Sequence, residues 1–126
     1  MQVPILKQRD YLIASIQAAL TDADLLQLRD ALVSQVGTYR SRGVIVDVTA
    51  LDVMDSFAVR TLRDLAHMIR LRGAETVIVG MQPEVALSVV QLGLTLEGVH
   101  AALDLEEGLA FLDKKANAVR GGRPGG

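Results

Sequence analysis

The sequence has no cysteine and no tryptophan, and only two tyrosines, two phenylalanines and three prolines among 126 residues. Without cysteine there is no disulfide framework, no thiolate metal site and no thiol nucleophile. So few aromatic rings leave an aliphatic core and little surface for stacking bases or sugars. An excess of one charge is missing too. The 13 basic and 15 acidic residues give a net charge of −2, so nothing selects nucleic acid or an anionic membrane as partner. The longest uncharged apolar stretch, Val85 to Leu96, is 12 residues long and is interrupted by Gln91 and Gly93. A membrane-spanning helix needs about 20. The N-terminus, MQVPILKQRD, lacks the basic region, apolar run and small-residue cleavage site of a signal peptide. A soluble, cytoplasmic chain is expected.

What is present is ordinary globular material, half hydrophobic and 22% charged, enough for one domain that buries its own core without a metal or disulfide. Residues 3–16, VPILKQRDYLIASI, read as a hairpin or two short consecutive strands, with Pro4 at an edge. Thr21 with Asp24 forms a capping box, and Leu25, Leu28, Leu32 and Val36 follow at helical spacing until Gly43. The β-branched run Val44 to Val48 predicts a strand covered on both faces. A second helix starts at Asp55-Ser56, buries Leu62, Leu65, Ala66 and Ile69, and is expected to be capped by Gly73. Thr76 to Gly80 predicts another buried strand, Pro83 opens a third helix, and Val99 to Ala102 a short strand. Asp104 with Glu107 caps a last helix reaching about Lys115. Residues 116–126, ANAVRGGRPGG, are expected to be a disordered Gly/Pro-rich tail beside a folded unit of residues 1–115. VIVDV and VIVGM, with a helix between them, make a βαβ unit, so the fold is α/β with a mixed, mostly parallel sheet and about four helices.

In such sheets function gathers at the carboxyl ends of the strands. That region here is Asp47 to Phe57, with three carboxylates and the Ser56 hydroxyl between a buried strand and a helix start. Asp55-Ser56 reads first as an N-cap. A hydroxyl in that place is also exposed, and a phosphate on it is tolerated by the free amides and the helix dipole. Asp47 reads either as a carboxylate bonded to loop amides or as a phosphoacceptor and magnesium ligand of the receiver-domain kind. The second reading needs a further acidic pair and a lysine after a later strand, and the only lysines are Lys7, Lys114 and Lys115.

Catalysis finds no support. The histidines are His67 and His100. If Ser56 and His67 share a helix, eleven residues separate them by about 16 Å, too far for a dyad. Neither a G-x-S-x-G elbow nor a P-loop nor a G-x-G-x-x-G is present, so no enzyme, cofactor or metal is assigned. Arg60, Arg63 and Arg70 place a basic stripe on the second helix. Arg60 either pairs with Asp64 one turn on or, with Arg63, serves a docked partner beside Ser56.

Together, Pro4-Ile5-Leu6-Lys7, Asp55-Ser56-Phe57, Gly80-x-Gln82-Pro83 and Leu103-Asp104-Leu105-Glu106-x-Gly108 resemble the STAS domain of anti-sigma-factor antagonists, in particular the single-domain scaffold type found in stressosomes. The resemblance runs from Pro4 to Leu112. It implies a non-enzymatic regulatory protein in which Ser56 is phosphorylated by a partner serine kinase of the histidine-kinase-like ATPase fold and dephosphorylated by a phosphatase. It implies homo-oligomers and a large hetero-oligomeric complex with sensory paralogues that share the domain, and sequestration of the kinase until phosphorylation releases it. Asp47 and Asp55 match acidic residues flanking the phosphorylated serine. No N-terminal sensory extension precedes the domain, which points away from the multidomain paralogue. Two alternatives stay open: a free small antagonist outside any large complex, and a receiver-like phosphoaspartate domain using Asp47.

Overall fold

The computed structural model describes residues 2–121. The chain runs β1 (Ile5–Gln8), β2 (Tyr11–Ser15), α1 (Asp22–Tyr39), β3 (Gly43–Asp47), α2 (Ser56–Arg70), β4 (Glu75–Val79), α3 (Pro83–Gln91), β5 (Val99–Ala102) and α4 (Leu105–Gly121). The strands form one five-stranded sheet in the order β1-β2-β3-β4-β5, with β1 antiparallel to β2 and every other pair parallel. Gln8 pairs with Tyr11, so the hairpin turns over Arg9-Asp10 alone, and Arg9 takes the positive φ of 53° that two-residue turns need.

Strand periodicity divides the core in two. Leu12, Ala14, Val44, Val46 and Ile78 point to the face covered by α1, α2 and α3, where they meet Leu32, Leu65, Ile69 and Val85. Tyr11, Ile13, Ile45, Val77 and Val79 point to the opposite face, where Leu112 of α4 covers them. Both faces of β3 are therefore dry from Val44 to Val46, which is why these three residues are apolar without alternation, and the half-buried Asp47 ends the strand. The buried residues of α1 are Leu25, Leu28, Leu32 and Val36, and Leu62, Leu65, Ala66 and Ile69 of α2 are buried as well. The Thr21–Asp24 capping box is formed in both directions.

Three boundaries differ from the sequence reading. α1 ends on Arg40, which adopts the left-handed cap itself at φ 50°. Gly43 is instead the first residue of β3, and a Cβ there would stand 2.7 Å from both methyls of Leu112, so its glycine serves helix–sheet contact. α2 is capped by Leu71, and Gly73, at φ 83°, turns the chain into β4. α4 continues to Gly121, six residues past the expected end at Lys115. Residues 116–120 contain two alanines and no glycine or proline, so nothing stops the helix before Gly121. The rest of the expected tail, residues 122–126, lies outside the described residues.

α4 is fastened to the hairpin by Tyr11, whose hydroxyl donates to Asp113, with Arg9 pairing to the same carboxylate at 3.4 Å. Burial above all, reinforced by the Asp113 carboxylate, pushes the Tyr11 phenol up to about 12.

Candidate functional site

Parallel strands bring the loops that follow β3 and β4 side by side. After Asp47, Val48 N–H donates to Val79 C=O at 3.0 Å, and the chain then loops through Thr49 to Met54. Leu51 and Met54 are buried and pin this loop to the core, whereas Val53 between them is 72% exposed. Asp47 Oδ1 accepts from the Thr49 amide at 2.9 Å and from the Thr49 hydroxyl at 2.6 Å. That is the loop-capping role of an Asx turn, so this oxygen is spent on its own loop.

The Thr49 carbonyl accepts from Gln82 Nε2, in the loop after β4, at 2.9 Å. Gly80 makes the approach possible. It has φ 77°, and a Cβ on it would fall 1.9 Å from Thr49 Oγ1. Thr49 falls within the stretch the sequence singles out, but its structural role there, and that of Gly80 and Gln82 beside it, went unassigned. Their signal was available in the topology, because loops after adjacent parallel strands must be neighbours.

At the start of α2 the cap is Asp55, in extended backbone, whose Oδ1 accepts from the Ala58 amide at 2.8 Å. Ser56 is the first helical residue and is half-buried. Its hydroxyl makes no hydrogen bond among the described residues. The sequence left the cap to either residue of the pair; the structure gives it to Asp55 and leaves the serine oxygen unengaged. The helix itself has no acidic side chain in its first turn, and the amides of Ser56 and Phe57 have no intrahelical acceptor. The site therefore suits an added anion on Ser56.

Arg60 and Arg63, four and seven residues after Ser56, lie on the same stripe of α2. Arg60 is exposed and forms no ion pair with Asp64 among the described residues. Arg63 is half-buried and donates to the Thr95 carbonyl at 3.2 Å, so it holds the segment after α3 and is only partly available to a partner. An apolar groove of about 120 Å³ opens beside Asp55, lined by Ile16, Leu20, Leu25, Leu51, Met54 and Ala58 among others. His67 is exposed on α2, in the same helix as Ser56. His100 is exposed on β5 and stacks on Phe111, the ring centroids 3.7 Å apart. Among the described residues no three His, Asp or Glu side chains cluster as a metal site, and no helix is long and apolar enough to cross a membrane.

Known proteins share this fold. Residues 2–107 match the STAS domain family. A serine-to-glutamate variant of Moorella thermoacetica RsbS is 32% identical and superposes with a TM-score of 0.81, over 93% of this chain and 99% of that one. A chain from the solved stressosome, described as a signal integration and transduction hub, is 34% identical with a TM-score of 0.74, over 90% of this chain and 98% of that one. The RsbT co-antagonist protein RsbRA of Bacillus subtilis (strain 168) is 29% identical over 83 residues, which are 66% of this chain and 30% of that protein. The chain spans between 23% and 34% of the length of the curated relatives it matches. With the family matched over most of its length and with this sheet and these four helices, the chain belongs to the STAS domain family.

Proposed function

We propose that this STAS protein is a non-enzymatic, cytoplasmic scaffold of a stressosome-type complex that binds and sequesters a partner serine kinase, and that phosphorylation of Ser56 releases the kinase. The observation that carries the reading is the division of labour at α2: Asp55 holds the cap, so Ser56 can be modified without unmaking the helix. The similarity to RsbS and to a stressosome chain supports the scaffold setting, with sensory paralogues of the RsbRA kind as co-assembling partners.

A phosphate on Ser56 adds about −1.5 to −2 charge at neutral pH. The free amides of the first turn and the helix dipole stabilise it locally. Toward a partner the effect is opposite in kind. The new charge stands near Asp52 and Asp55 and beside the exposed Val53, so an apolar contact made with the unmodified surface acquires a hydrated dianion at its rim. A kinase of the histidine-kinase-like ATPase type would modify the site, a phosphatase would reset it, and Arg60 would lie under the docked kinase.

The test is intact-protein and peptide mass spectrometry after incubating the full chain, and Ser56→Ala, with ATP and the candidate kinase. One phosphate on Ser56, absent from the variant, and kinase released from the modified chain are expected. An active kinase that leaves Ser56 untouched overturns the switch. The alternative of a free small antagonist predicts the same phosphate on a protein that never enters a large particle, which the size of the endogenous complex decides.

A further inference from the structure

The small net charge conceals a strong separation of charge. The segments at the carboxyl ends of the parallel strands, residues 17–24, 47–56, 80–86 and 102–108, hold nine carboxylates and no basic residue. The segments at the other end, residues 7–10, 40–42, 70–75, 96–98 and 113–115, hold eight cations against four carboxylates. The fold makes two ends of them. β2 to β5 are parallel, and α4 leaves the carboxyl end and brings Lys115 back beside Arg42, Gly73 and Glu75, around a hollow of about 330 Å³.

Helix dipoles explain part of this pattern, since acids favour helix starts and bases helix ends. They do not explain Asp47 at the end of β3, Asp52 in the loop after it, or Arg42 between α1 and β3. Internal pairing does not absorb the basic end either. Arg9 is paired with Asp113 and Arg70 with Glu75, but Arg40, Arg42, Arg72 and Lys115 are exposed and have no ion-pair partner among the described residues. The acidic end adds apolar knobs, Val53 at 72% and Leu103 at 80% exposure, each next to a carboxylate residue in sequence.

We infer that the basic end, centred on Arg42 and Lys115, docks the acidic end of a second copy of this chain. Charge complementarity selects the occupant. Among the described residues the one carboxylate lining the hollow, Glu75, is offset by Arg70 at 3.6 Å, so the hollow accepts an acidic knob. Because the two contacting patches are different surfaces, each docked pair leaves one acidic and one basic end open, and the contact propagates into a ring or a row. The inference requires neither the kinase nor phosphorylation of Ser56, and an acidic end covered by a second copy, Val53 included, is closed to a kinase while that contact lasts.

The experiment is sedimentation velocity of the purified full chain across salt concentrations. Oligomers are expected at low salt, with association weakened about tenfold or more between 25 and 300 mM salt, as screening of charges at an interface requires. Arg42→Glu should abolish association at low salt. Gln27→Glu with Ser34→Glu, which changes net charge equally on the exposed flank of α1, should preserve it. Arg42→Glu combined with Lys115→Glu keeps its acidic end, so adding it to the unmodified chain should shorten the oligomers. Circular dichroism melts confirm that each variant is folded. A chain that stays monomeric at low salt, or that associates equally well after Arg42→Glu, overturns the inference. So does a flank variant that weakens association as much as Arg42→Glu. None of these results bears on whether Ser56 is phosphorylated.

Discussion

Replacing Gly80 by alanine tests whether the loops after β3 and β4 are one interlocked unit. The backbone there has φ 77°, and holding a residue with a Cβ in that region costs about 1–2 kcal/mol. The new Cβ also falls 1.9 Å from Thr49 Oγ1. Thr49 must then turn away and give up the bond its hydroxyl donates to Asp47, a bond to a charged group worth about 1.5–3 kcal/mol. Gly80→Ala is therefore expected to cost about 2.5–5 kcal/mol and to lower Tm by roughly 10–20 °C. Thr49→Ala alone should cost about 1.5 kcal/mol for the lost bond. In the double variant the bond is lost only once, so its cost should fall short of the sum of the singles by about 1.5 kcal/mol. Urea unfolding followed by far-ultraviolet circular dichroism suits a protein without tryptophan. A Gly80→Ala variant within about 0.5 kcal/mol of the parent, or strict additivity in the cycle, would refute the interlock.

Asp55→Ala should lose about 1 kcal/mol with its cap, while Ser56→Ala should stay within about 0.5 kcal/mol of the parent. The reverse order in denaturant melts would mean that the serine is the cap. Because the Tyr11 phenol is raised to about 12 from an ordinary value of 10.0, its contribution is complete below pH 10. It fades as pH rises from 10 to 12, where the unfolded chain releases a proton that the folded chain retains. Tyr11→Phe should flatten that part of the stability–pH curve, and an unchanged slope would show that other groups cause it. Leu112→Ala should cost about 2–4 kcal/mol. Gly43→Ala, whose Cβ would press on the Leu112 methyls, should be better tolerated in the Leu112→Ala background than alone, as chemical melts of the four proteins can decide.

Much of the fold is local and therefore readable. The 3.6-residue spacing of Leu25, Leu28, Leu32 and Val36, the Thr21–Asp24 box and the run Val44 to Val48 each state an element and the face it buries, because periodicity and capping act within a few residues. The candidate site was legible to the same depth: Asp55 and Ser56 mark a helix start at a strand's carboxyl end whatever surrounds them. What no window of sequence contains is the division of roles. That Asp55 takes the cap and leaves Ser56 free depends on the angle at which the loop enters α2, which buried Leu51 and Met54 set. That Gly80 is required by Thr49, and Gly43 by Leu112, depends on approaches across 31 and 69 residues of chain. Arg63 reads as a free cation in sequence and is partly spent on the Thr95 carbonyl in the fold. The separation of charge is the clearest case. Its residues are scattered along a nearly neutral chain, and they become two opposed ends only because β2 to β5, being parallel, all enter the sheet at one end and leave it at the other.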